Sequence, residues 1–454
     1  MQLSPIHQLI QLLQHSLTAL HCEISSHEAE KIGFFIFLAM ESPQRKYHNS
    51  RHVLDVCKNM TSLQTLAGLF HDVVYYQIDK DFPPTTAELF APFVELQNGE
   101  IFIRATAPEQ QTFEICLLVF GLQRGQKLEI SKGQNEFLSA LIGGFFLDKY
   151  LTIKQLISFF VCIEATIPFR KPDAQGMTSY HKVEFRLQAI AIEYDFCWTE
   201  AEITMLMQEA VGLANRDVAN FAAKDVGKFL DGTWTLLPES HAQLWYGGVY
   251  SVQSYRMALS KIEFFFGILE VEAIFDQHNH FPNNKTYQKL LIQATQNLEI
   301  AQEYIGIKLL PLAIIEAAAL LTGGDAPLSF FMGDVRQNKT KIKRAEDFLP
   351  PTKHIHTDIT QKVYQLLEYG RATATSFDLQ NSPLAAFIYK NIGATACQEM
   401  LYWAKLFFKQ EISALAFLQK THFATTKNII EACAMIAETR KEKLLLLLKQ
   451  INAN

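Results

Sequence analysis

Apolar residues recur every three or four positions along most of this chain, which is the period of an α-helix rather than the alternation of a strand. This spacing predicts an all-α protein. Residues 100–104, Glu-Ile-Phe-Ile-Arg, alternate instead and predict one short strand. The predicted helical segments are 7–20, 27–40, 150–165, 178–195, 200–222, 251–276, 287–306, 308–321, 357–369, 384–409 and 427–450.

The chain has 454 residues, which is enough for two or three domains because a single hydrophobic core rarely serves more than about 250–300 residues. Turn-forming residues interrupt the helical pattern at 231–233 (Asp-Gly-Thr) and again at 238–239 (Pro-Glu). We therefore expect a boundary near 232–240. One helical domain should cover 1–232 and a second should cover 240–454.

Composition narrows the classes of function. Hydrophobic residues make up 49% of the chain and include 34 Phe, which is ample for well-packed cores. A net charge of −6 and a pI near 6.2 supply no basic face, so a nucleic-acid duplex is not expected as a partner. Seven cysteines without a Cys-x-x-Cys spacing are typical of reduced thiols and favour a cytoplasmic location.

The most membrane-like stretch is 307–321, which contains Glu316. A transmembrane helix needs about 20 predominantly apolar residues, so this stretch is too short and too polar to span a bilayer. It predicts a buried core helix and no membrane span. The first residues of the chain also lack the basic segment of a signal peptide.

Histidines and aspartates cluster in two strings near the start of the chain. Residues 47–52 read Tyr-His-Asn-Ser-Arg-His, and residues 70–72 read Phe-His-Asp. If the first string is helical, His48 and His52 lie one turn apart on the same face. Imidazole and carboxylate groups are the ligands that divalent transition metals take in proteins. The strings therefore indicate a metal site.

The second string continues an apolar helix face. Leucine, alanine and phenylalanine at 63, 66, 67 and 70 have helical spacing, Ser62 is the expected N-cap, and His71 occupies the next position on the stripe. A lone histidine there is more often a core residue than a ligand. Asp72 changes this interpretation, because a buried ionised carboxylate without a cation or metal costs several kcal/mol.

The same reasoning predicts a second carboxylate ligand further along the chain. Residues 199–202, Thr-Glu-Ala-Glu, form a capping box that opens a helix, and its apolar stripe runs through 203–214 to Asp217. An aspartate on a buried face needs a positive partner. We predict that Asp217 joins His52, His71 and Asp72 as the fourth metal ligand; an internal ion pair is the alternative.

Three further strings follow along the chain. They are Asn-Glu-Phe-Leu-Ser-Ala at 135–140, Ile-Glu-Ala-Thr at 163–166 and Asn-Arg-Asp-Val-Ala at 215–219. Together with the Tyr-His-Asn-x-x-His and His-Asp strings, they resemble a bacterial branch of the HD superfamily of metal-dependent phosphohydrolases over about residues 30–230. The resemblance implies an HD-domain helical bundle, a divalent ion (Mn, Mg, Zn, Co or Fe) and phosphoester hydrolysis.

The chain departs from that family in three places. Arg170 and Lys171 stand where the branch usually carries a histidine, and Tyr75 stands where cyclic nucleotide phosphodiesterases carry one. Residues 82–132 make the chain longer than the family pattern, so they are interpreted as an insertion. These differences bear on the substrate more than on the metal.

The resemblance also assigns roles. His48 resembles the histidine that protonates the leaving oxygen in related phosphodiesterases, and Asp72 would act catalytically through the metal. Arg170, Lys171 and Arg186 are the candidate cations for binding substrate phosphate.

Two functions remain open from the sequence. The first is hydrolysis of a small phosphoester, such as a nucleotide or cyclic nucleotide. The alternative is a catalytically silent HD-fold scaffold or effector-binding protein, in which the insertion and residues 240–454 contact a protein partner. Residues after 240 carry no motif of assignable chemistry. Two glycines at 323–324, after the apolar stretch, predict a helix cap and turn.

Overall fold

The computed structural model describes residues 3–83, 86–245, 249–334, 343–352 and 355–452. It is 66% helical and only 3% strand, with a single two-stranded sheet among the described residues. The predicted all-α class is confirmed. The chain divides into two units: the first is Met1–Asn220 with Leu269–Ile292, and the second is Phe221–Ile268 with Gln293–Asn454.

The described residues of the first unit include eleven complete α-helices, the start of a twelfth and one hairpin. The helices are α1 (Pro5–Ala19), α2 (Ser26–Met40), α3 (Ser50–Val56), α4 (Ser62–Phe70), α5 (Tyr76–Asp79), α6 (Ala87–Phe90), α7 (Gln111–Phe120), α8 (Gln134–Leu147), α9 (Ile153–Ala165), α10 (Ser179–Glu193) and α11 (Glu200–Asp217). Strands β1 (Val94–Gln97) and β2 (Glu100–Ile103) pair antiparallel, and β2 coincides with the predicted strand.

Side-chain caps define where several of these helices begin. The predicted capping box at Thr199 is present at the start of α11. At α4 the N-cap is Thr61 rather than the predicted Ser62, because Thr61 and Gln64 form a reciprocal capping box. A threonine with Gln three positions later satisfies two helix-end N–H groups, which the isolated Ser62 would not do.

The core of the first unit lies around α4, α8 and α9, which are buried along much of their length. Two adjacent glycines of α8 make this packing possible. A Cβ at Gly143 would stand 2.6 Å from the Phe159 ring, and one at Gly144 would stand 2.6 Å from the Phe160 ring. The helix α7, from the segment predicted as an insertion, also contributes to this core through Phe113.

The second unit consists mainly of long helices. They are α12 (Val226–Ser240), α13 (Val252–Ile268), α14 (Asn284–Thr322, whose first residues belong to the first unit), α15 (Leu328–Met332), α16 (Gln361–Tyr369), α17 (Pro383–Phe408, kinked at Gly393), α18 (Ala414–Lys420), α19 (Phe423–Ala434) and α20 (Lys441–Ile451).

The boundary predicted at 232–240 is wrong, because those residues lie within α12. The division falls at Asn220–Phe221, and Leu269–Ile292 belongs to the first unit. In α12 the buried residues Leu230, Trp234 and Leu237 follow helical spacing, so burial outweighs the turn preference of glycine and proline.

The helix α14 joins two segments that were predicted separately, and it is long and apolar enough to cross a membrane by length and composition. Its most apolar window is 89% buried inside the structure. Glu316, the acidic residue of that window, accepts two hydrogen bonds from the guanidinium of Arg256 at 2.8 Å each. At the end of α14, Gly323 and Gly324 have positive φ angles and form the predicted turn, where Arg440 donates to the Gly324 carbonyl.

A buried cluster of paired charges lies within the second unit. The Asp378 carboxylate lies 2.8 Å from the Lys308 ammonium and 3.4 Å from the Arg371 guanidinium, and it accepts a 2.7 Å hydrogen bond from the Trp234 indole. Arg371 also lies over the Trp234 ring, 4.2 Å from its centroid. All four side chains are nearly inaccessible to solvent.

We expect Asp378→Asn to lower the free energy of unfolding by about 3–5 kcal/mol, because it leaves two buried cations without their shared counter-charge. Urea unfolding followed by circular dichroism measures the change. The matched control is Asp55→Asn, which breaks an exposed pair with Lys58 and should cost less than about 1 kcal/mol. Equal effects of the two substitutions would contradict this account.

Candidate metal centre

The first ligand candidate is carried by a short helix whose start is set by an asparagine. The Asn49 side chain accepts hydrogen bonds from the backbone N–H groups of Arg51 and His52, so α3 begins at Ser50. The expectation that His48 and His52 share a helix face is therefore wrong, since His48 precedes the cap. The two rings are nevertheless close, with centroids 5.7 Å apart.

The other candidates lie where helices end. His71 is the C-cap residue of α4 and is 1% exposed, Asp72 follows it, and Asp217 is the last residue of α11. Helix ends deliver these side chains to one point while the apolar faces of the same helices pack into the core.

The four predicted ligands converge. The Nε2 atom of His52 lies 3.0 Å from Oδ1 of Asp217 and 3.6 Å from Oδ2 of Asp72. The Nε2 atom of His71 lies 3.1 Å from Oδ2 of Asp72 and 3.4 Å from Oδ1 of Asp217. Ligands bonded at about 2.1 Å to one ion are separated by about 3.0–3.4 Å in octahedral or tetrahedral geometry. Three of the four observed separations fall in that range, and the separation between His52 and Asp72 is slightly longer, at 3.6 Å.

The ring nitrogens at the centre lack hydrogen-bond partners. Both Nε2 atoms are buried, and neither satisfies hydrogen-bond geometry with the facing carboxylates despite the short distances. On the opposite side of its ring, Nδ1 of His71 donates to the Gly68 carbonyl at 2.8 Å, which leaves Nε2 facing the cluster. Buried nitrogens oriented in this way fit metal coordination better than internal hydrogen bonding.

The electrostatics of the cluster explain its affinity for positive charge. Burial alone would lower the pKa of His71, but Asp72 and Asp217 outweigh burial and raise that pKa well above its usual value. Burial alone would raise the pKa of both aspartates. The charge of His71 outweighs it and holds both carboxyl pKa values well below their usual range. Without a metal, a proton on His71 therefore occupies the place of a cation, and metal binding must displace it.

A third acidic residue belongs to this electrostatic environment. Burial, followed by repulsion from Asp72 and Asp217, raises the pKa of the half-buried Glu136 to about 7, and attraction by Arg170 opposes the rise. The sequence alone assigns no role to Glu136, although this residue lies in the Asn-Glu-Phe-Leu-Ser-Ala string at 135–140. Its neighbours on α8 explain its position.

Two neighbours of Glu136 bind the chain just after Asp72. The Asn135 side chain accepts from the Tyr76 N–H at 3.3 Å, and the Ser139 hydroxyl accepts from the Val74 N–H at 3.0 Å. These contacts hold the start of α8 against the segment that carries Asp72. The Asn-Glu-x-x-Ser-Ala string therefore positions Glu136 near the cluster.

The predicted phosphate-binding cations are placed differently from one another. Arg170 donates to both carboxylate oxygens of Glu164, at 2.8 and 3.2 Å, and Arg186 donates to the same carboxylate at 3.2 Å. Lys171 instead forms a surface ion pair with Glu270, in which both side chains are more than half exposed. The structure thus brings Arg170 and Arg186 together and leaves Lys171 apart from them.

Comparison with family models, with curated proteins and with solved structures returns no match to this chain. The HD resemblance therefore rests on the sequence strings alone.

We expect Asp217→Asn to weaken binding of Mn²⁺ or Zn²⁺ by about 100-fold or more, because losing one supporting contact of a metal site already costs about 10–100-fold and this change removes a charged ligand. Isothermal titration calorimetry measures the affinity. Asp55→Asn, three residues after His52 and 55% exposed in its side chain, is the control and should bind like the wild type. Unchanged affinity in Asp217→Asn would remove Asp217 from the ligand set.

The raised pKa of Glu136 predicts a pH effect on the metal-free protein. Proton binding by Glu136 adds stability below its ordinary pKa of 4.5, and this contribution is lost as pH rises through the folded value of about 7. Glu136→Gln does not titrate. With a chelator present, it should be more stable than the wild type by about 1 kcal/mol or more at pH 8, and the difference should shrink toward pH 5. Denaturant unfolding across that range measures it, and parallel pH profiles would contradict the prediction.

Proposed function

We propose that this protein is a metal-dependent phosphohydrolase that cleaves a small phosphoester, with nucleotides and cyclic nucleotides as the leading substrate class. The observation that carries the proposal is the convergence of two buried, unpartnered imidazole nitrogens with two carboxylates at distances suited to one divalent ion. The ordered HD-type strings supply the reaction class, because they place the same residues in the roles of metal ligands.

His52, His71, Asp72 and Asp217 would hold the ion. A divalent cation bound there would polarise a phosphoryl oxygen and lower the pKa of a coordinated water, which makes a nucleophile available near neutral pH. The contribution of the protein is to fix the ligands. His71 is oriented by its bond to the Gly68 carbonyl, and the chain after Asp72 is held by Ser139.

His48 is the proposed proton donor to the leaving oxygen. It lies beside the cluster rather than within it: its ring centroid is 5.7 Å from that of His52 and 4.7 Å from that of Tyr75, with both rings roughly edge to face. The side chain is partly exposed, so a substrate oxygen can reach it. Histidine suits this task because its ordinary pKa lies close to working pH.

Phosphate recognition is assigned to the arginine pair. Arg170 and Arg186 share the single carboxylate of Glu164, so the three side chains carry one positive charge in excess. Arg170 is within electrostatic range of Glu136, and Glu136 in turn senses Asp72 and Asp217. The Asp276 carboxylate also interacts with Arg170 and offsets part of this charge, so the assignment rests on the electrostatic link from Arg170 to Glu136. The exposed Lys171–Glu270 pair is screened by solvent and contributes less.

We expect His48→Ala to keep the fold and the bound metal while lowering turnover by about 100-fold or more, the usual scale for losing a general acid. The assay supplies Mn²⁺, Mg²⁺, Zn²⁺ or Co²⁺ and follows hydrolysis of nucleoside monophosphates, cyclic nucleotides and an aryl phosphodiester. His15→Ala, a substitution of an exposed histidine on α1, is the matched control and should retain full turnover.

Two results would count against the proposal. If the metal-loaded wild type hydrolyses none of these substrates, the catalytically silent scaffold becomes the better account. If His48→Ala and the wild type turn over equally, the enzyme stands but its proton donor is a different group.

A further inference from the structure

Arg45 is a buried arginine to which the sequence motifs assign no role. It lies in the connection between α2 and α3, three residues before His48, and its side chain is 0% exposed. A buried guanidinium is costly unless its N–H groups are paired, so the groups that pair it reveal what the residue holds in place.

Those partners lie on the segment that carries a proposed ligand. One terminal nitrogen of Arg45 donates to the backbone carbonyl of Asp72 at 2.5 Å, and the other donates to the carbonyl of Val73 at 3.3 Å. Asp79 balances the charge: its carboxylate accepts from Nε at 3.1 Å and from a terminal nitrogen at 2.6 Å. The guanidinium therefore bridges the backbone at Asp72 to the carboxylate of Asp79.

The same side chain also reaches the surroundings of His48. The Arg45 guanidinium lies 5.8 Å from the ring centroid of Tyr75, and the His48 ring packs on the same tyrosine with its centroid at 4.7 Å. Arg45 thus contacts the backbone of a metal ligand and a ring that packs on the proposed proton donor.

We infer that Arg45 is a positioning residue for the metal centre, fixing the backbone from which Asp72 extends and the Tyr75 ring against which His48 packs. The inference rests on the proposed metal site. Only arginine fits the position, because its planar fork serves two carbonyls and one carboxylate at once, whereas a lysine ammonium is a point donor. On the far side of this segment Ser139 accepts from the Val74 N–H, so the chain after Asp72 is held from both sides.

The test uses Co²⁺ as the probe, because its visible absorption reports coordination geometry independently of turnover. Arg45→Lys keeps the charge but cannot make the fork. We expect it to lower Co²⁺ affinity by about 10–100-fold and to change the Co²⁺ spectrum of the folded protein. Arg104→Lys is the matched control, since Arg104 also joins a carbonyl (Ala91, 2.7 Å) and a carboxylate (Glu95, 3.0 Å) in the first unit. It should leave affinity and spectrum unchanged.

Asp79→Asn is the second variant, in case Arg45→Lys does not fold. It weakens the hold on Arg45 without removing the two carbonyl contacts, so it should give the same spectral change with a smaller loss of affinity. A wild-type Co²⁺ spectrum and affinity in the folded variants would overturn the inference, even if their melting temperatures fall.

Failure of the Arg45 inference can be distinguished from failure of the proposed function. If the wild type binds Co²⁺ but hydrolyses no phosphoester, the phosphohydrolase proposal fails and Arg45 is still judged on the spectra. If the wild type does not bind Co²⁺, both proposals fail.

Discussion

The first unit depends on the negative charge of two largely buried carboxylates, which the hydrogen bonds within helices cannot neutralise. Asp72 and Asp217 are brought into a largely buried space where the facing side chains are His52 and His71. Histidine can supply the counter-charge only by taking a proton or by sharing a metal ion. The Nε2 atoms of both rings face these carboxylates, so a proton or a metal ion held between them would supply the missing positive charge.

The second unit also buries a carboxylate, but it balances the negative charge with different side chains. There Asp378 is paired directly with Lys308 and Arg371, whose charges are permanent at neutral pH. In that cluster the counter-charges are permanent groups of the protein itself. In the first unit the facing groups are titratable imidazoles, and this difference in chemistry marks the first cluster, rather than the second, as the candidate metal site.

Much of the fold and the site follows from local signals. Helical spacing predicted the all-α class and most long helices, the threonine–glutamate box located the start of α11, and alternation located β2. The four-residue convergence could be predicted because an aspartate on an apolar stripe needs a partner. Local signals failed where burial decided the outcome: residues 232–240 became part of α12 because Trp234 and its neighbours face a core.

The sequence by itself determined which residues form the candidate site, because His52, His71, Asp72 and Asp217 follow from spacing and residue type. Only the tertiary structure decided which other residues surround these four side chains and hold them in place. The capping of α3 by Asn49 placed His48 outside the helix, Glu164 took up Arg170 and Arg186, and Arg45 was joined to the backbone at Asp72. A hydrogen bond between residues distant in the chain leaves no periodic pattern, since it depends on how helices pack and not on the order of residues within them.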